Sequence, residues 1–132
     1  MDRKRILVVD DEIYIVHILE FSLTMEGFTV LTASNGEEAL RMIDQERPDL
    51  VVLDIMMPKL DGYEVVAALR KDEQFQSLPV ILLSAKGRPI DREAGLAAGA
   101  DDYITKPFSP RKLIEKIREI LDRQELGKAV GF

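Results

Sequence analysis

Five short runs rich in Val, Ile and Leu recur along the chain, at Arg5–Asp10, Phe28–Ala33, Leu50–Asp54, Pro79–Ser84 and Asp102–Thr105, with helically spaced apolar residues between them. A run that is apolar at nearly every position has no face to offer to water, so it must be covered on both sides. Strand and helix repeated five times in this way predict an α/β fold, a doubly wound parallel sheet with helices on both faces. Right-handed crossovers then bring the carboxyl end of every strand to one edge, where open α/β sheets place their ligands.

The intervening segments carry apolar stripes that fit this arrangement. Ile15, Ile18, Leu19 and Leu23 form the inward stripe predicted for the first helix. Ala39, Leu40 and Ile43 form that of the second, which a Ser34–Glu37 signal is placed to cap. Val65, Val66 and Leu69 follow Asp61 in the third, and Leu113, Ile114, Ile117 and Leu121 follow the Ser109-Pro110 start of the fifth. The fourth, around Asp91–Ala98, is the weakest. Its inward candidates are mostly alanines, Gly95 costs roughly 1 kcal/mol relative to Ala, and Gly99 ends it. Beyond about Gln124 the helical pattern fades, which predicts a domain over residues 1–123 and a C-terminal tail or linker stub over 124–132.

Composition excludes several classes of function. No apolar run approaches the ~20 residues that span a bilayer, and the basic opening is followed by only Ile6–Asp11 before Glu12, too little for a secretion signal. The lack of cysteine excludes disulfides and thiolate metal sites and suits a cytoplasmic location. A net charge of −6 opposes direct nucleic-acid binding by this domain alone.

The stretch LVVLDIMMPKLDG, residues 50 to 62, places a single carboxylate, Asp54, at the end of a strand built for a core. The other strands end in Asp10-Asp11-Glu12, in Ser84 and in Thr105-Lys106-Pro107. Taken singly, these are ordinary N-caps, strand terminators and a solvated lysine. On one edge they become a set. Asp10, Asp11 and Asp54 bring three negative charges, Lys106 returns one, and a divalent cation balances the remainder. An all-oxygen ligand set suits Mg²⁺ or Mn²⁺ sharing an incoming phosphate. Lys106 and Ser84 are then placed to hold phosphoryl oxygens while Asp54 attacks, giving an aspartyl phosphate.

The motifs ILVVDDE, VVLDIMMPKLDG, PVILLSA and GADDYITKPFSP stand in order over residues 4 to 123, and the chain resembles the receiver domains of two-component response regulators. The resemblance implies a flavodoxin-like (CheY-like) sheet of order 2-1-3-4-5 with five helices. It implies that Asp54 is the phosphoacceptor and that the metal is held by Asp11, Asp54 and the backbone carbonyl of Met56, with Asp10 acting through water. It further implies Ser84 as the switch hydroxyl, Lys106 as the phosphate-binding lysine before a cis proline, and Tyr103 as an aromatic that turns inward on activation. A sensor histidine kinase or phosphotransfer protein would supply the phosphoryl group, docking on helix one. His17 is expected at the surface there, with Tyr14 and Phe21 exposed.

GADDYITKPFSP is similar to the OmpR/PhoB-type branch. This implies output to a downstream protein or effector domain through helix four, strand five and helix five, with a phosphorylation-dependent homodimer on the same face. This chain departs from the branch in setting Arg92 opposite Lys112, with Asp101 or Asp102 left to meet Lys116, Arg118 or Arg123. Met56 and Lys86, two residues beyond Asp54 and Ser84, predict slow self-dephosphorylation, because neither orients an attacking water. A turnover enzyme is not expected. The competing reading, a phosphatase of haloacid-dehalogenase-like type, requires a second Asp where Met56 stands. A nucleotide-binding module is opposed by the lack of a glycine-rich loop after strand one, and a structural pseudo-receiver by the complete site set.

Overall fold

The structure, a computed structural model, describes residues 3–129, the last two as backbone only. Five strands, β1 (Arg5–Val9), β2 (Thr29–Ala33), β3 (Leu50–Asp54), β4 (Val80–Ser84) and β5 (Asp102–Thr105), pair in parallel in the order β2-β1-β3-β4-β5. They alternate with α1 (Ile13–Met25), α2 (Gly36–Glu46), α3 (Gly62–Lys71), α4 (Pro89–Ala97) and α5 (Pro110–Ala129). The predicted sheet order and helix count are both observed.

The strands are buried on both faces because successive side chains point to opposite sides. Ile6 and Val8 face Leu19 and Leu23 of α1 and Leu113 and Ile117 of α5. Leu7 and Val9 face Ala39 and Ile43 of α2 and Val65, Val66 and Leu69 of α3. Asp61 caps α3 in a capping box with Glu64, which fixes where the segment after β3 turns into helix.

Four local expectations are corrected. The cap of α2 is Asn35, whose side chain accepts the Glu38 N–H, one residue beyond the expected Ser34; the Ser34 hydroxyl instead meets the Glu38 carboxylate. Ile18 is exposed, because Ile15, Leu19 and Leu23 fill the inward stripe of α1 and Ile18 lies about 100° round from Leu19. The helical pattern does not fade at Gln124. Gln124, Glu125 and Leu126 are good helix formers, α5 runs on to Ala129, and the Gln124 amide donates to the Ser77 carbonyl at 2.8 Å. Residues 130–132 of the expected tail lie outside the described residues. Gly95 in α4 is a packing residue, since a Cβ there would stand 2.8 Å from the Tyr103 ring.

Arg70 of α3 ties the opposite, amino edge of the sheet. Its guanidinium donates to the carbonyls of Gly99, Phe75 and Leu78 at 2.8–3.0 Å and to Asp101 at 3.2 Å. Asp101 also accepts the Val80 N–H at 2.8 Å. Arg70→Met keeps the aliphatic stem and strands three part-buried carbonyls. It should lower unfolding stability by roughly 2–4 kcal/mol, read from urea midpoints, whereas the exposed Arg111→Met should change it by under ~0.5 kcal/mol.

Candidate functional site

Sheet register assembles the carboxyl edge. Val9 pairs with Leu53, which sets Asp10 beside Asp54. Asp54 pairs with Leu83 and Ser84 with Thr105, so Ser84 and Lys106 follow stepwise across the sheet. Asp10 and Asp54 are almost fully buried and Asp11 is exposed, yet each places a carboxylate oxygen within 4.8 Å of the others. Three hard oxygen donors at that range, open to solvent on the Asp11 side, fit a divalent cation of the Mg²⁺ class.

Lys106 Nζ enters the cluster from beyond β5. It lies 2.8 Å from Asp10 Oδ2, 3.1 Å from Glu12 Oε1 and 3.5 Å from Asp54 Oδ1. The other oxygen of Asp10, Oδ1, accepts the Glu12 N–H at 2.9 Å, so both oxygens of Asp10 have protein donors. The Lys106–Pro107 peptide bond is cis, as the resemblance implies.

Electrostatics follow from this crowding. Burial, together with the charge of Asp10, pushes Asp54 up to about 6, although Lys106 and a hydrogen bond from the Met56 backbone pull the other way. Burial acts to lower Lys106, but its hydrogen bonds to Asp10 and Glu12 and the charge of Asp54 outweigh that and move it upward. The site without a cation is therefore short of positive charge, and Asp54 bears the deficit.

Ser84 and Tyr103 reach the same edge but are engaged elsewhere. Ser84 is fully buried, and its Oγ accepts the Lys86 N–H at 3.0 Å. Tyr103 is already inward: its ring packs on Gly95 and its hydroxyl donates to the Lys86 carbonyl at 2.6 Å. Glycine at position 95 leaves the ring the space it occupies. The Met56 side chain is exposed, as are His17, Tyr14 and Phe21.

Glu12 is a contact that sequence reasoning missed. It was legible as part of the acidic run but not as a partner of Lys106, 94 positions away. It adds a fourth carboxylate to the charge count. On the adjoining face Arg92 pairs with Asp102 at 3.0 Å and donates to the Tyr103 carbonyl at 2.7 Å, while Lys116 pairs with Asp102 at 3.2 Å. These charges are satisfied within one chain.

Residues 6–118 match the family described as response regulator receiver domain. The chain is 51% identical over 124 residues to the alkaline phosphatase synthesis transcriptional regulatory protein PhoP of Bacillus subtilis, covering 94% of this chain and 51% of that protein. It is 54% identical over 125 residues to a protein of Cyanophora paradoxa named "Probable transcriptional regulator ycf27", covering 95% of this chain and 51% of the other. The chain thus spans about half the length of these curated relatives. Among solved structures it is similar to the receiver domain of the Francisella response regulator 1452, with a TM-score of 0.87, 37% identity, and 92% of this chain and 99% of that one covered. It is also similar to a "putative response regulator from Chloroflexus aurantiacus J-10-fl", with a TM-score of 0.88, 36% identity, and 92% of this chain and 99% of that one covered.

The raised Asp54 makes a signed prediction for the metal-free protein. A carboxyl whose folded value exceeds its unfolded value of about 3.9 stabilises the fold below the lower value and loses that contribution as pH rises through the upper one. Asp54→Asn removes this dependence. The variant should match the parent near pH 4 and exceed it by on the order of 2 kcal/mol at pH 7.5, by urea unfolding in a chelator. Saturating Mg²⁺ should shrink the difference.

Proposed function

We propose, since this chain belongs to the response regulator receiver domain family, that Asp54 is its phosphoacceptor and that the surrounding acids and lysine are the transfer machinery. The chain is a phosphorylation-dependent signalling switch. The observation that carries the assignment is the meeting of Asp10, Asp11 and Asp54 with the single ammonium of Lys106.

In the step proposed, an Asp54 oxygen attacks phosphorus in line. The P–N bond of a phosphohistidine, or the P–O bond of acetyl phosphate, breaks with its electron pair leaving on imidazole or acetate. Lys106 neutralises charge on the phosphoryl oxygens. Asp11, Asp54 and the Met56 carbonyl would hold a Mg²⁺ or Mn²⁺, with Asp10 acting through water, and the ion would supply further polarisation of those oxygens. That Asp10 already has donors on both oxygens supports its indirect role.

Ser84, whose Oγ accepts the Lys86 N–H, then donates its hydroxyl hydrogen to a phosphoryl oxygen and is drawn toward Asp54. A hydrogen bond to a charged group is worth ~1.5–3 kcal/mol, one to two decades in a two-state equilibrium. The backbone of Lys86 is the joint, because its N–H holds Ser84 and its carbonyl holds Tyr103. Movement there passes to α4, β5 and α5, the face assigned to a downstream partner or effector domain.

A histidine kinase or phosphotransfer protein is the proposed donor. Tyr14, Ile18, Phe21 and Met25 form an exposed apolar row on α1 at four-, three- and four-residue steps, a surface suited to a helical partner. A homodimer through α4, β5 and α5 would require Asp102 to exchange partners it already holds. Transcriptional output, named for the relatives, would belong to a segment outside this domain, and the proposed location is cytoplasmic. No helix among the described residues is long and apolar enough to cross a membrane. Phosphatase turnover is disfavoured by Met56 at the acid/base position.

Acetyl phosphate with Mg²⁺ should add one phosphoryl group by intact mass, and Asp54→Asn should abolish the gain. Turnover of a phosphate ester would instead favour the phosphatase. With Met56 and Lys86 beside the site, the phosphoryl group should persist well beyond seconds when decay is followed after donor removal.

A further inference from the structure

Lys106 is held from two directions. Buried Asp10 and Asp54 draw it inward, and Glu12 Oε1 meets it at 3.1 Å from the solvent side. The second oxygen of Glu12 is also engaged, since the Tyr14 hydroxyl donates to Glu12 Oε2 at 2.7 Å. Glu12 occupies the N-cap position of α1 but makes no side-chain cap bond. Its carboxylate is engaged instead by the lysine and the phenol. Tyr14 is 59% exposed, in the first turn of α1. An exposed phenol thereby fixes the conformer of a half-exposed acid that competes for the site lysine.

We propose that Tyr14 is a positioning residue for phosphoryl transfer. By holding Glu12 against Lys106 it keeps the ammonium within the acidic cluster and slows its delivery to an incoming phosphoryl group. The physical basis is side-chain entropy. A glutamate free in water spreads over several rotamers, few of which reach the lysine, and one hydrogen bond at its far oxygen selects among them. Losing the bond weakens the Glu12 competition while leaving Asp10 and Asp54 in place.

This inference rests on the Asp54 reading, and its test separates the two. Initial rates of phosphorylation by acetyl phosphate at saturating Mg²⁺ are compared for the parent, Tyr14→Phe, Glu12→Ala and the double variant. A small donor leaves the α1 face uncovered, so partner docking does not enter. Tyr14→Phe should raise the rate about two- to five-fold, the range expected for an exposed charged contact. Glu12→Ala should raise it at least as much, and Tyr14→Phe should add nothing in the Glu12→Ala background. An unchanged rate in Tyr14→Phe, or an effect that persists without Glu12, overturns the positioning role. A parent that takes up no phosphoryl group on Asp54 overturns the underlying reading instead. Tyr14→Phe removes only an exposed hydroxyl, and unchanged urea unfolding would verify that the fold is intact.

Discussion

The ammonium of Lys106 among the carboxylates of Asp10, Glu12 and Asp54 is the interaction on which the site depends. Two of those carboxylates are nearly removed from water, and ionised groups at such depth demand compensating charge. Lys106 provides part of it from beyond β5, two strands across the sheet from Asp54. The lysine can arrive only if β4 and β5 are paired in register and the turn after β5 is formed. Assembly of the charge cluster and completion of the sheet are therefore one event. The compensation is incomplete, and a cation among Asp10, Asp11 and Asp54 would offset the shortfall.

Much of this was legible in the sequence, for a definite reason. Parallel strands covered on both faces are almost continuously apolar, so Leu50–Leu53 and Val80–Leu83 announce themselves, and their polar last residues mark the edge. What escaped were contacts decided by rotamers between distant positions. Arg70 reads as a surface charge at the end of a helix, yet it closes three carbonyls from two other loops. Gly95 reads as a helix defect, and only the Tyr103 ring beside it explains the missing side chain. Glu12 reads as one more acid in a run of three, with no local sign of which way it turns. The extension of α5 escaped because helix propensity and polar contacts to distant positions, Gln124 to Ser77 and Glu125 to Lys4, carry it past the apolar stripe.

Ser84 and Tyr103 share a short piece of backbone. Ser84 and Tyr103 do not touch through side chains; each bonds to a different group of Lys86. The main chain of a residue has one donor and one acceptor, and at Lys86 both are committed, to the hydroxyls of Ser84 and Tyr103. In the proposed switch, the turn after β4 would convert a pull on Ser84 into a displacement of main chain. Because α4 packs lightly and accommodates the Tyr103 ring at Gly95, it is the element nearest to hand to take up that displacement.

The two poles of the sheet are secured by different physics. At the amino pole Arg70 makes short bonds to three main-chain carbonyls, neutral acceptors, beside one ion pair with Asp101. At the carboxyl pole the ties are ionic and can be rewritten by one added anion. The molecule consequently resembles a tuning fork, clamped at its base and free at its tines. A rearrangement at the charged end leaves every partner of Arg70 in place, so the two ends can differ in stiffness within one sheet.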